Sequence, residues 1–267
     1  MTQAADDIQK IARWIAEASN VVVLTGAGVS AESGLSTFRD PDQHGDALWS
    51  RYDPMELATI GAFERDPELV TRWYHWRFTK CAEVEPNPGH HALAGLESWL
   101  TETRSPEAFT LVTQNIDGLH QRAGSDRVVE LHGTIHTWRC TRSGRETPLL
   151  ELSFETFPVP SDDGGLMRPC VVWFGEALPD RALALTGAAL ERCDLFLSIG
   201  TSATVQPAAS FMQIAKQRGA RTVEINRDTT PISDVVDIAL VGASGEVLPA
   251  LLNRVRSMAN ERPSGDT

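Results

Sequence analysis

Short groups of glycine and polar residues recur along this chain of 267 residues, and their types can do chemistry. Gly26-Ala27-Gly28 follows the apolar run Val21 to Leu24, and Ser30 comes next. Two glycines one residue apart let a backbone turn tightly and bring its N–H groups to a bound phosphate. A strand, a glycine turn and a helix starting within Ala31 to Gly34 make an anion site of the kind that holds a dinucleotide. Gly34 arrives later than the third glycine of Gly-x-Gly-x-x-Gly, so this stretch alone also suits a turn that binds nothing. Gln114-Asn115-Ile116-Asp117 offers amides and a carboxylate. His132 offers an imidazole able to take a proton near pH 7, although a lone histidine at a strand end is often structural. Tyr74 and Arg77, three apart, share one face of a helix. A guanidinium holds a carboxylate bidentately and a phenol adds one bond; the bland alternative is a surface pair on an aromatic helix.

The elements that must position these groups follow from periodicity. Ile8, Ile11, Ala12 and Ile15 form one apolar face, so Asp7 to Ser19 reads as an amphipathic helix. Asp40 to Ala47 reads as a loop. Leu48 to Ala82 reads as helix in pieces, with Asp53-Pro54 and Asp66-Pro67 as starts. This block is aromatic, with Trp49, Tyr52, Phe63, Trp73, Tyr74, Trp76 and Phe78. Glu85 to Gly89 reads as a loop and His90 to Thr103 as a helix. Strands are expected at Val21 to Leu24, Phe109 to Asn115, Val128 to Gly133, Leu195 to Ile199, Thr222 to Asn226 and Val235 to Val241. Cys170 to Phe174 reads as extended, Thr141 to Gly165 as irregular. Further helices are expected at Pro179 to Glu191, Pro207 to Arg218 and Gly245 to Met258.

Strands alternating with helices predict an α/β fold, a doubly wound parallel Rossmann-like sheet. In such sheets the ligand crevice lies at the carboxyl ends of the strands. Gly26-Ala27-Gly28, Gln114 to Asp117, His132-Gly133, Gly200-Thr201-Ser202 and Asn226 all stand just after strands, so five termini point to one site. Residues 48–86 and 138–175 break the alternation. They are expected to build a smaller second domain from two insertions, against a large domain of 1–47, 87–137 and 176–262, with 263–267 as a tail.

Composition narrows the class. The chain is 42% hydrophobic and 22% charged, ordinary for a globular protein. Its net charge of -12 disfavours nucleic acid as a partner. The absence of a long apolar run excludes a spanning helix, and the acidic start does not resemble a signal peptide. The scattered Cys81, Cys140, Cys170 and Cys193 suit a reducing compartment, so a cytoplasmic monomer with no membrane partner is expected.

Taken together the motifs resemble the sirtuins, the NAD-dependent protein-lysine deacylases. The matching residues are Gly26 to Gly34 with Phe38-Arg39, Thr113 to Asp117 with Leu119-His120, Leu131-His132-Gly133, Arg168-Pro169 with Val171 to Glu176, Gly200-Thr201-Ser202 and Ile225-Asn226. The resemblance implies that NAD is consumed as co-substrate. An acyl-lysine oxygen attacks C1′ of the nicotinamide ribose, nicotinamide leaves, and the acyl group ends on ADP-ribose. His132 matches the general base. Asn115 and Asp117 match residues holding the nicotinamide end and its ribose, and Asn115 is counted with His132 as catalytic. Gly26, Ala27, Gly28, Ser30, Gln114 and Ile116 match further cofactor contacts. Phe38 and Arg39 match a cover over the reactive ribose, Phe38 having a core residue as its alternative. Gly200, Thr201, Ser202, Asn226 and Arg227 match contacts to phosphates and the adenosine ribose, with Ser244 for adenine. Val172, Trp173, Phe174 and Gly175 match the strand that pairs with a substrate peptide. Tyr74 and Arg77 look like the signature of the branch that removes succinyl and malonyl groups, and so imply binding of an acyl carboxylate.

One departure stands out. Most sirtuins bind a structural zinc through two Cys-x-x-Cys pairs between the matches to Trp138 and Arg168. Here the four positions are Cys140, Ser143, Pro160 and Asp163, and Cys170 and His136 have the wrong spacing to complete a set. Zinc is therefore not expected, and the small domain is expected to be held by packing alone. Two other functions use the same residues: ADP-ribosyl transfer to protein or NAD hydrolysis, and NAD sensing without catalysis.

Overall fold

The computed structural model describes residues 3–35 and 54–261. Helix α1 (Gln3–Glu17) buries Ile11, Ala12, Ile15 and Ala16, the apolar stripe its periodicity requires. Strand β1 (Val21–Thr25) follows and is buried at every position, as a central parallel strand covered on both faces must be. Helix α2 (Ala27–Ala31) starts directly on the glycine turn. The expected helix at Ala31 to Gly34 is thus displaced: α2 ends where that helix was to begin. Helices α3 (Pro54–Leu57), α4 (Ile60–Arg65) and α5 (Pro67–Glu83) form the first insertion. Asp66 caps α5 through Leu69 N–H at 2.9 Å, with Pro67 at the first helical position. Asp53 lies outside the described residues.

Helix α6 (Pro88–Thr103) begins earlier than the expected His90, because Asn87 is its cap and forms a capping box with His90. Then come β2 (Phe109–Thr113), α7 (Leu119–Arg122), β3 (Val128–Glu130) and β4 (Gly133–Cys140). Residues 141–165 contain a short strand, β5 (Glu146–Pro148), and a 3-10 turn at Leu149–Glu151, more order than expected. Strand β6 (Met167–Val171) closes the second insertion. The remainder is α8 (Asp180–Glu191), β7 (Leu195–Ile199), α9 (Ala208–Gln217), β8 (Arg221–Asn226), β9 (Ile238–Val241) and α10 (Ser244–Glu261).

The large sheet has the order β3-β2-β1-β7-β8-β9, and all its pairings are parallel. This is the doubly wound order, with the chain reversing direction of travel between β1 and β7. Alternation of side chains splits its core in two. Val21 and Val23 pack under α1, α6 and α10 on one face, and Val22 and Leu24 under α8 and α9 on the other. The small sheet, β5-β4-β6, is antiparallel. Its core joins α4 and α5 through Phe63, Trp73, Tyr74, Trp138 and Trp173. Each such ring buries about 150–250 Å², a gross gain of about 4 kcal/mol or more at ~25 cal/mol per Å². Strand β4 starts at Gly133, so the chain crosses into the small sheet ahead of the expected boundary at 138.

Candidate active site

The expected crevice lies at the carboxyl ends of β1 and β7, which pair as far as Thr25 and Ile199. The turn after β1 and the turn after β7 touch backbone to backbone. Gly28 N–H donates to Gly200 O at 2.8 Å, and Gly26 N–H donates to Ile199 O at 3.1 Å. A Cβ on Gly28 would lie 2.7 Å from Gly200 O, and one on Gly200 would lie 2.5 Å from Val29 N. These glycines are required by mutual close approach, and two of the N–H groups assigned to a phosphate are already used inside the protein. The expected reason for this glycine pair is corrected accordingly.

Behind the turn lies a buried polar network. Ser30 Oγ donates to Asp117 Oδ2 at 2.7 Å and accepts from Asn115 Nδ2 at 3.1 Å. Asn115 Nδ2 also donates to Gly26 O at 3.1 Å. Asp117 Oδ1 accepts the Leu119 N–H at 2.9 Å, and His136 Nε2 donates to Asp117 O at 2.9 Å. Burial raises the Asp117 carboxyl, with these hydrogen bonds and the Arg77 charge opposing. Asn115 and Asp117 come from one segment and Ser30 from another, and Ser30 bonds both.

Sequence reasoning missed the layer beneath. His90 Nδ1 accepts the Asn87 N–H at 3.3 Å, so its Nε2 carries the proton and faces Ser30 Oγ at 3.4 Å. His120 Nε2 meets Thr25 Oγ1 at 2.9 Å, and the two rings lie 4.8 Å apart. Burial pushes His90 down to about 4 and His120 down to about 3, so both are neutral near pH 7. Asn87 Nδ2 donates to Val29 O at 2.7 Å and to Ser33 Oγ at 3.0 Å, tying α2 to α6. The one available signal was Asn87-Pro88, a cap followed by proline; a histidine on a helix gives none.

His132 stands between β3 of the large sheet and β4 of the small one. Its Nδ1 meets the Gln114 carbonyl at 3.1 Å. A carbonyl only accepts, so Nδ1 carries the proton and Nε2 keeps its lone pair. Burial lowers the His132 pKa and the Gln114 carbonyl opposes this, so the ring is neutral near pH 7. Gly133 has φ +75°, and a Cβ there would lie 2.0 Å from Cys170 O, so only glycine lets β6 pass beside the histidine.

The other predicted cofactor residues stand just after strands or at helix starts. Gln114 N–H donates to Thr25 O at 3.0 Å, and buried Ile116 accepts from Ile135 N–H through its carbonyl at 3.2 Å. Ala27 is the first residue of α2. Asn226 Nδ2 donates to Thr201 O at 2.8 Å, joining the ends of β7 and β8. Ser202 Oγ is paired with Thr204 Oγ1 at 2.9 Å, and Arg227 is exposed beside Asn226. Ser244 is the first residue of α10. Its hydroxyl donates to Glu32 Oε1 at 2.8 Å and it is buried, so it fastens α10 to the residue after α2. Phe38 and Arg39 lie outside the described residues.

In the small domain Tyr74 and Trp173 are brought together. Trp173 Nε1 donates to Tyr74 Oη at 2.9 Å, and both are fully buried, so Tyr74 is not a surface residue. Arg77 packs with its guanidinium 5.1 Å from the Trp73 ring centroid, and its charge acts on both Tyr74 and Asp117. Strand β6 ends at Val171, and in the segment Val172 to Gly175 Phe174 forms an isolated parallel bridge with Thr59. Val172 N–H donates to His132 O, Trp173 N–H to Glu176 Oε2 and Phe174 N–H to Ala58 O, at 2.9, 2.8 and 2.9 Å. Any peptide paired here meets carbonyls and the exposed Phe174 and Gly175 rather than those N–H groups.

The positions matching zinc ligands hold other contacts. Ser143 Oγ donates to Asp163 Oδ2 at 2.6 Å, and Arg145 reaches Asp163 at 3.3 Å and Asp162 at 3.4 Å. Arg142 N–H points to Cys140 Sγ at 3.4 Å. Proline supplies no ligand at position 160, so one thiol, one hydroxyl and one carboxylate remain, a donor set that does not fit a closed structural zinc site. Packing alone was expected to hold this segment, and the structure adds a polar clasp between the turn after β4 and residues 161–165. Among the described residues no group of three or more histidine, cysteine or acidic side chains could hold a metal.

A Rossmann-like sheet with a small antiparallel domain, and a histidine at the joint between them, define a known class. The Sir2 family profile matches residues 26–207. The NAD-dependent protein deacylase 1 of Archaeoglobus fulgidus is 46% identical over 250 residues, covering 93% of this chain and 98% of its own. The NAD-dependent protein deacylase 1 of Pseudomonas aeruginosa is 46% identical over 255 residues, covering 92% and 98%. A solved complex of a Sir2 homologue with NAD superposes with a TM-score of 0.85 at 44% identity, covering 94% of each chain. Sir2Af2 bound to a myristoylated histone peptide superposes with a TM-score of 0.76 at 32% identity, covering 97% and 100%. The chain belongs to the Sir2 family.

Proposed function

We propose that this chain is an NAD-dependent protein-lysine deacylase that removes succinyl and malonyl groups as well as acetyl, and that it works without structural zinc. Relatives of nearly full coverage carry the name NAD-dependent protein deacylase, and a solved relative holds NAD. Bound NAD supplies an electrophilic C1′ carbon with nicotinamide as its leaving group. The chain's own residues do the rest. The crevice formed by residues 26–30, 114–117, 200–202 and 226–227 would hold the dinucleotide. Asn115 and Asp117, fixed by Ser30, orient the ribose and carboxamide end. His132 takes a proton from a ribose hydroxyl at Nε2, its ring held by the Gln114 carbonyl.

The observation that carries the deacylase reading is this neutral histidine, aimed by a backbone carbonyl and standing at the joint of the two sheets. The acidic-acyl reading rests on Tyr74 and Arg77. Burial raises the phenol, so Tyr74 keeps its proton as a donor for a carboxylate, and the Arg77 guanidinium supplies the charge. Replacing Arg77 with Met tests it. The ratio of kcat/KM for succinyl- over acetyl-lysine in one peptide is expected to fall at least about tenfold, the loss of a charge-assisted pair. An unchanged ratio removes the acidic-acyl assignment and leaves the deacylase standing.

A further inference from the structure

Tyr74 and Trp173 come from the two separate insertions, and one hydrogen bond joins them. A phenol oxygen has one proton to give and lone pairs to accept with. The indole N–H occupies a lone pair of Tyr74, which leaves the phenol proton to point elsewhere. The direction of that proton is therefore set by the indole.

The indole is itself held on several sides. The Arg168 guanidinium lies over its ring at 3.3 Å, and the Phe63 ring centroid is 5.3 Å away. Glu176 Oε2 accepts the Trp173 backbone N–H at 2.8 Å. Arg168 is bound bidentately to Glu176, at 2.7 and 2.8 Å, and donates to Val171 O at 3.1 Å. Arg168 is 7% exposed and Trp173 1%. A buried ion pair of this kind gives little net stability, since apolar side chains of the same volume serve as well. Its geometry does something packing cannot: it fixes one edge of one ring, the edge that carries the N–H.

We propose that Trp173 is a positioning residue for acyl selection. Its indole N–H aims the Tyr74 hydroxyl at the carboxylate of an acidic acyl chain, and the Arg168–Glu176 pair sets the indole. This rests on the acidic-acyl reading of Tyr74 and Arg77.

The test is a double-mutant cycle read as the ratio of kcat/KM for succinyl over acetyl peptide, which cancels general losses of folding or NAD binding. Trp173→Phe keeps a ring and removes the N–H. The ratio is expected to fall about fivefold to tenfold, the effect of one misdirected hydrogen bond, with the change in KM for the succinyl peptide. In a Tyr74→Phe background, Trp173→Phe is expected to change the ratio no further, because the hydroxyl it aims is gone. An equal fall in both backgrounds overturns the proposal, since the indole then acts through packing. An unchanged ratio for Trp173→Phe, with Arg77→Met and Tyr74→Phe both lowering it, overturns the proposal and leaves the acidic-acyl reading intact. Unchanged ratios for Arg77→Met and Tyr74→Phe overturn that reading and the proposal with it. If Trp173→Phe does not fold, Glu176→Gln takes its place: a smaller fall supports the proposal and no change overturns it.

Discussion

The crevice of the large sheet and the small domain are held together by different means. In the crevice, Ser30 is buried and bonded to Asn115, Asp117 and His90, while buried His120 bonds Thr25 through Nε2 and its Nδ1 has no partner among the described residues. In the small domain, Phe63, Trp73, Trp138 and Trp173 supply volume, and the turns at 143–145 and 161–165 are joined by an exposed serine, arginine and aspartates. Polar networks tolerate little, because each lost partner leaves a buried group unsatisfied. Aromatic packing with a surface clasp tolerates changes at the clasp. The crevice is thus the intolerant region, and the small domain is free to vary at its outer edge.

Three changes test this contrast. The largest effect belongs to the crevice. His132→Ala is expected to lower kcat by about 10²–10⁴, the usual contribution of a general base, while thermal stability changes little. Steady-state rates with saturating NAD and peptide measure it, and a loss below tenfold would remove the histidine from its role. In the wild-type enzyme the rate is expected to fall on acidification only below 6.5, the ordinary histidine value, because burial holds His132 lower.

The second effect is on stability. His90 titrates at about 4 and His120 at about 3 in the folded protein, both below the ordinary 6.5. The unfolded chain therefore binds protons that the folded chain refuses as pH falls from 6.5 toward 4. Their contribution to stability is complete above 6.5 and is lost through that window, by up to about 1.4 kcal/mol per pH unit for each group. Chemical denaturation at a series of pH values should show this slope. The double variant His90→Gln/His120→Gln should flatten it, and a slope unchanged in that variant would assign it to other groups.

The smallest effect belongs to the clasp. Asp163→Ala is expected to cost no more than about 1 kcal/mol, as for other exposed pairs. A chelator is expected to leave the melting temperature unchanged. About one equivalent of zinc in the purified protein, or a collapse of the small domain on chelation, would contradict the zinc-free reading.

The fold was legible where a pattern had physical redundancy. The α1 stripe, the continuous apolar run of β1, and Asp66-Pro67 each carry their own signal. So do the strand ends, because five of them bear small or polar residues in one parallel sheet. What escaped was set by contact rather than by local chemistry. Helix α2 starts at Ala27 because Gly28 packs on Gly200. The segment after β6 leaves the sheet because its N–H groups are diverted to His132, Glu176 and Ala58. The Ser244 bond to Glu32 spans 212 residues. The indole bond to Tyr74 spans 99 residues and has no local trace.

Cleavage of NAD coupled to an acyl-lysine is read by nicotinamide release from NAD with and without acyl-peptide, with the product mass recorded. The account predicts release only when a succinyl- or acetyl-lysine peptide is present, with one 2′-O-acyl-ADP-ribose formed per deacylated lysine. Release without peptide would contradict it in favour of hydrolysis, and no release with any acyl-peptide would contradict it in favour of a protein that only binds NAD.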